Sequence, residues 1–143
     1  MKSIPVGEKL PELTRKIDLT NMIAYAGATW DWHRVHYDPE FIASRKIPAP
    51  IVDGQALGAI VVEAIQDWLG PNYWISRLSF RFASMVFAGE TVKVTGVVGE
   101  AEASRLVINV EVNVGDRLVL SHRSEEHTSE LQSRQYLVCR LLL

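Results

Sequence analysis

The sequence predicts a single α+β domain in which an antiparallel sheet packs one face against a long central helix. Three observations carry that prediction. Gln55 to Leu69 is apolar on nearly all sides, with Gln55, Glu63, Gln66 and Asp67 its only polar residues, so such a helix must be largely surrounded by protein. From Trp74 onward the apolar residues alternate at period two, the signature of half-buried antiparallel strands. No helical pattern interrupts that run, which rules out a parallel sheet built from strand-helix-strand units.

Taken in order, the chain begins with a polar lead-in, Lys2 to Lys16, punctuated by Pro5 and Pro11 and expected to lie across the surface. Thr20 is placed to cap a short helix of Asn21 to Gly27, with Met22, Ile23 and Ala26 apolar and Gly27 as the stop. Asp38-Pro39-Glu40 is a second helix start: aspartate as cap, proline in the first turn, an acid near the positive end of the helix dipole. Ile47-Pro48-Ala49-Pro50 is extended, because a residue before proline is pushed out of the helical region. It leads through Ile51-Val52-Asp53-Gly54 into the central helix, which Gly70-Pro71 closes.

Four strands are expected after it. Trp74, Ser76, Leu78, Phe80 and Phe82 share one face of the first; Thr91 to Val98 sets Val92, Val94 and Val98 opposite Lys93 and Thr95. Leu106 to Val114 turns Leu106, Ile108, Val110, Val112 and Val114 inward, and Leu118 to His122 begins a fourth. Turn signals fall at Ala88-Gly89-Glu90, Gly99-Glu100-Ala101-Glu102 and Gly115-Asp116.

The 143 residues suffice for one domain with a real core, and 48% hydrophobic with 22% charged residues is ordinary for a globular protein. A net charge of −2 gives no electrostatic reason to expect nucleic acid or an anionic membrane surface. The start lacks the apolar run of a secretion signal and no stretch approaches a membrane span, so cytoplasm is the expected compartment. One cysteine, Cys139, excludes an internal disulfide and a thiolate metal cluster. It lies in a tail, Arg123 to Leu143, that sustains neither helical nor strand periodicity. Arg123 to Ser133 resembles the in-frame translation of a common sequencing-library adapter, matching over eleven residues. Residues 123–143 are therefore expected to be a non-native tail on a domain of residues 1–122 with a truncated last strand, and His127 and Cys139 are set aside; a natural polar linker with an apolar end is the alternative.

Chemistry concentrates in Trp30-Asp31-Trp32-His33-Arg34-Val35-His36-Tyr37-Asp38. Asp31 and His36 stand five apart among aromatic residues, so a carboxylate and an imidazole can share a partly dry pocket and one bound water. The competing possibility is a buried pair that only stabilises a loop. Asp38 has a capping job, His33 fits an ordinary loop histidine, and Arg34 fits either a surface pair with an acid such as Glu40 or a ligand phosphate. Asp31, His33, His36 and Asp38 are all possible metal ligands, yet no thiolate or helical ligand spacing supports a metal.

Three elements together resemble the MaoC-like hydratases and dehydratases of the hot-dog fold: Asp31-Trp-His-Arg-Val-His36-Tyr-Asp38, Val52-Asp53-Gly54 opening the long helix, and Phe82-Ala-Ser-Met-Val-Phe-Ala-Gly89-Glu90-Thr91. The resemblance covers most of Leu19 to His122. It implies a curled antiparallel sheet wrapped around the central helix, action on 2-enoyl thioesters by an acid-base pair falling on Asp31 and His36, and polarisation of the thioester carbonyl by the Gly54 amide. It implies no metal or redox cofactor. Elementary chemistry agrees: hydration builds charge on the carbonyl oxygen, an N-terminal helix amide donates to it with the dipole behind, and glycine lets the thioester approach.

The chain departs from the family pattern at several places. Many members carry asparagine and proline where His33 and Arg34 stand, and histidine where Asp53 stands; Met85 replaces a proline. Asp53 is the most consequential, since an anion turned inward opposes a developing oxyanion, whereas a capping Asp53 leaves the Gly54 amide available. His33, Arg34 and Asp53 are thus candidates for substrate contact, and Asp31, His36 and Gly54 for catalysis. The substrate implied is an acyl-CoA or acyl carrier thioester. A non-catalytic partner subunit of a heteromeric hydratase and a thioesterase are the alternatives. Hot-dog domains pair through sheet edges, so a homodimer or heterodimer is expected.

Overall fold

The computed structural model describes residues 4–102, 105–121 and 141–142 of the chain. The elements in chain order are β1 (Lys9–Lys16), α1 (Leu19–Thr29), a 3₁₀ turn (Arg34–His36), α2 (Pro39–Ser44), α3 (Gly54–Leu69), β2 (Trp74–Ile75), β3 (Arg81–Phe82), β4 (Thr91–Glu102), β5 (Arg105–Val114), β6 (Arg117–Ser121) and β7 (Leu141–Leu142). The sheet runs β1-β4-β5-β6-β3, every pairing antiparallel, while β7 pairs with both β5 and β2.

The sheet curls around α3. Leu57, Val61, Ala64 and Ile65 of the helix meet Val92, Val94, Val98, Ile108, Val112, Val119 and Leu120 of the strands in one core. These positions recur at three- and four-residue intervals on the helix and at two- and four-residue intervals along β4 and β5, so both periodicities point their apolar atoms to the same place. The helix is covered on that stripe only: Gln55, Ala59, Gln66 and Asp67 are exposed, and Ala56, Ile60, Val62 and Trp68 half-buried. An Arg15 to Glu63 ion pair ties β1 to α3.

Several expectations change. The lead-in contains strand β1, paired with β4 from Lys9↔Val97 to Lys16↔Thr91. Only Leu10 of β1 is buried, and a register shift between Leu10 and Leu13 spans Pro11, the edge-strand irregularity at which proline is tolerated. The first helix starts earlier, because Asp18 rather than Thr20 caps it in a reciprocal pair with Asn21. It also continues past Gly27 to Thr29 and stops at Trp30, whose φ is 62°. Gly27 instead faces the Trp32 ring, which a Cβ there would touch at 3.7 Å.

The single strand expected over Trp74 to Phe82 is two short ones with separate partners, β2 on β7 and β3 on β6. β4 runs through the expected turn at Gly99 to Glu102, and Glu102 pairs with Arg105. A register shift between Val98 and Glu100 absorbs Gly99, whose missing side chain leaves room for Asn109. Asp38 caps α2 and Asp53 caps α3, both as expected. His122, the adapter-like run Arg123 to Ser133, His127 and Cys139 lie outside the described residues.

Candidate active site

α1 ends with Trp30 in the left-handed region, which turns the chain sharply so that Asp31 lies beside the helix it has just left. Asp31 Oδ1 accepts the His33 N–H at 3.2 Å. His33 Nδ1 accepts the Val35 N–H at 3.3 Å and caps the 3₁₀ turn. That turn carries His36 inward, where its Nδ1 lies 2.7 Å from the Ile51 carbonyl oxygen. Ile51 is itself held, its N–H on the Val35 carbonyl at 3.1 Å and its backbone bridged to Phe87. The Val52 N–H donates to Val86 at 2.8 Å, so the segment entering α3 is fixed from two sides.

These ties bring Asp31, His36 and Asp53 together, with one ligating atom of each within 4.8 Å of the others. They line a narrow cleft with Met22, Tyr25, Ala26 and Ala56. Asp53 Oδ1 accepts the Gln55 N–H at 2.8 Å. It therefore caps α3 and faces the cleft at once. Gly54 opens α3, so its N–H belongs to the first turn, where no intrahelical acceptor exists. Among the described residues, Asp31, His36 and Asp53 are also the set that gathers closely enough to hold a cation. The four ligands considered from sequence divide differently: Asp38 accepts from Arg34 Nε at 2.8 Å and from the Phe41 N–H at 3.0 Å, and the His33 ring centroid stands 6.0 Å from that of His36.

Arg34 thus pairs with Asp38, not with Glu40, and its guanidinium lies 5.1 Å over the Phe41 ring. His33 is exposed, its ring edge-on to Phe41 at 6.0 Å. Trp32 stands edge-on to Trp30 and Tyr37, and the Tyr37 hydroxyl donates to the Trp32 carbonyl at 3.1 Å, so the aromatic residues brace the loop.

Sequence reasoning missed Tyr25. Burial pushes its hydroxyl above the ordinary tyrosine range, and the Asp53 and Asp31 carboxylates push it further, so the phenol stays neutral beside them. The signal was present in the spacing, since Met22, Tyr25 and Ala26 fall on one face of α1 at three- and four-residue intervals. A second omission is Arg117. It donates to Glu90 Oε1 at 2.6 Å and to the Met85 carbonyl, clipping β6 to the loop before β4.

With that geometry in place, comparison with known proteins is informative. Residues 3–118 match the family model described as MaoC like domain. The peroxisomal hydratase-dehydrogenase-epimerase of Saccharomyces cerevisiae is 30% identical over 92 residues, which are 64% of this chain and 10% of the yeast protein. The 3-oxo-4,17-pregnadiene-20-carboxyl-CoA hydratase beta subunit of Mycobacterium tuberculosis is 28% identical over 105 residues, 73% of this chain and 81% of that one. The (R)-specific enoyl-CoA hydratase of Aeromonas caviae is 30% identical over 94 residues, 64% of this chain and 68% of that one. Among solved structures, the A. caviae (R)-hydratase superposes with a TM-score of 0.81 at 21% identity, covering 100% of this chain and 99% of that one. The ChsH1-ChsH2 complex of M. tuberculosis gives 0.80 at 22% identity, covering 97% of this chain and 98% of that one. At those identities the structural likeness speaks for the fold, which is the hot-dog arrangement of a curled, open sheet around a helix. With 3–118 matched as well, the chain belongs to the MaoC-like domain family.

Proposed function

We propose that this domain is a hydratase or dehydratase of 2-enoyl and 3-hydroxyacyl thioesters, with Asp31 and His36 as the acid-base pair. The observation that supports it most is the convergence of both groups on one cleft at the N-terminus of α3. In the hydration direction the pair holds a water, removes one proton as its oxygen bonds the β carbon, and returns a proton to the α carbon. Electron density passes to the thioester oxygen, where the Gly54 N–H and the α3 dipole stabilise it. The dehydration direction runs the same steps backward. The thioester carrier is coenzyme A or an acyl carrier protein, the compartment is the cytoplasm, and no metal or redox cofactor takes part.

A second reading has its own support. One relative is named as the beta subunit of a hydratase and one structural neighbour is a two-component complex, and Asp53 puts an extra anion in the cleft. The domain then serves as a partner subunit in a heterodimer, formed through sheet edges. Loss of enoyl absorbance with crotonyl-CoA separates the two. Turnover by the isolated protein that collapses in Asp31→Asn supports the enzyme. A folded, inert protein whose Asp31→Asn variant leaves a reconstituted complex fully active supports the partner.

A further inference from the structure

Gly54 and Gly58 lie one turn apart on α3, and a phenyl ring rests on each. A Cβ built on Gly54 stands 2.6 Å from Phe82 Cζ, and one on Gly58 stands 2.9 Å from Phe80 Cζ. The two rings meet edge to face at 5.5 Å and 82°. Only glycine permits so near an approach of ring to helix backbone. The rings differ in what surrounds them. Phe80 borders a narrow apolar recess together with Val61, Leu78, Ile108, Val112 and Leu120. Phe82 is 41% exposed and belongs to a two-residue strand at the sheet edge. Its backbone is fixed by pairing with Leu120 and by the Ala83 N–H on Val119 at 2.8 Å, while its ring has solvent on one side into which it can turn.

We infer that Phe82 is a gate over the Gly54 amide and that, with Phe80, it selects short acyl chains. This rests on the thioester reading of the cleft. With its ring on Gly54, Phe82 shields the amide, and a thioester carbonyl reaches the N–H only once the ring swings outward. An acyl chain running from Gly54 along α3 next meets Phe80 on Gly58. The recess begins at Val61, seven residues on, a rise of about 10 Å. A short chain stops before the second ring. A long one displaces both, and without that displacement the apolar recess beyond contributes nothing to binding.

Isothermal titration with butyryl-CoA and decanoyl-CoA, saturated thioesters that cannot be hydrated, tests the gate apart from the chemistry. Wild type is expected to favour butyryl-CoA by at least about tenfold. Phe82→Ala is expected to bring decanoyl-CoA within about threefold of butyryl-CoA, and Phe82→Leu, which keeps an apolar side chain if alanine unfolds the edge, to fall between. An unchanged preference in both variants, or no thioester binding by any of the three proteins, overturns the gate. Crotonyl-CoA hydration run alongside keeps the two proposals distinct: length-selective binding without turnover counts against the hydratase and leaves the gate standing.

Discussion

His36 Nδ1 lies 2.7 Å from the carbonyl oxygen of Ile51. A carbonyl oxygen only accepts, so Nδ1 carries the hydrogen, and in the neutral ring Nε2 keeps its lone pair for the cleft. The backbone that leads into α3 thus sets the tautomer of the imidazole facing Asp31.

Removal of either member of the proposed acid-base pair is expected to lower kcat for crotonyl-CoA hydration by about a hundred- to ten-thousand-fold. Asp31→Asn and His36→Gln suit the test because both approximate the native shape. Retention of more than about a tenth of wild-type turnover by Asp31→Asn would remove that residue from the chemistry.

Asp53→Asn separates the two jobs of that side chain. Asparagine caps a helix about as well as aspartate, so the melting temperature is expected to hold, whereas Asp53→Ala costs about 1 kcal/mol. Loss of the anion beside Asp31 and His36 is expected to raise kcat/KM by a few-fold to about tenfold, because it no longer opposes charge on the thioester oxygen. A fall in kcat/KM with stability intact would show that the carboxylate takes part in the reaction.

Acid sensitivity follows from two carboxylates. Burial pushes Glu90 upward, but the Phe87 N–H and the Arg117 guanidinium outweigh it and hold the carboxyl below its ordinary range. Asp38 is held low by the Phe41 N–H and by Arg34. A depressed folded pKa means stabilisation present above the unfolded carboxylate range, near pH 4, and lost as pH falls through the folded value. Thermal melts from pH 7 to pH 3 are expected to drop less steeply in Glu90→Gln than in wild type below about pH 5. Parallel curves would mean that Glu90 contributes nothing to the acid limb.

Ile65 is 0% exposed at the centre of the core. Ile65→Ala is expected to cost about 2–5 kcal/mol in denaturant unfolding. Ala59→Ser, on the exposed side of the same helix, is expected to stay within about 0.5 kcal/mol. Equal effects would mean that the buried stripe does not anchor the fold.

The elements legible in sequence were those whose local chemistry agrees with their tertiary role. α3 announced itself by its apolar run and its Asp53 and Gly70 ends, and β5 by strict alternation. β1 did not, because an edge strand with one buried residue and a proline has the composition of a loop. Trp74 to Phe82 alternates as a strand should, but its two ends pair with different strands, and periodicity carries no information about partners. In the cleft, Asp31 and His36 were legible from their spacing. Tyr25 shares a helix face with Met22 and Ala26, but spacing alone does not show that this face lines the cleft, and nothing local places the Phe82 ring on Gly54.

The β1 register, Lys9↔Val97, joins the start of the chain to a strand finished nearly ninety residues later. Asp31, His36 and Asp53 all leave the ribosome long before Val86 and Phe87, which fix the entry to α3, and before β4, on which β1 closes. At about 5–20 residues per second, synthesis leaves the cleft residues without their scaffold for seconds. Throughout that interval α3 has its apolar stripe bare. Bare apolar surface of that kind favours aggregation, so a destabilised β4 is expected to reduce the yield of folded protein before it alters the finished cleft.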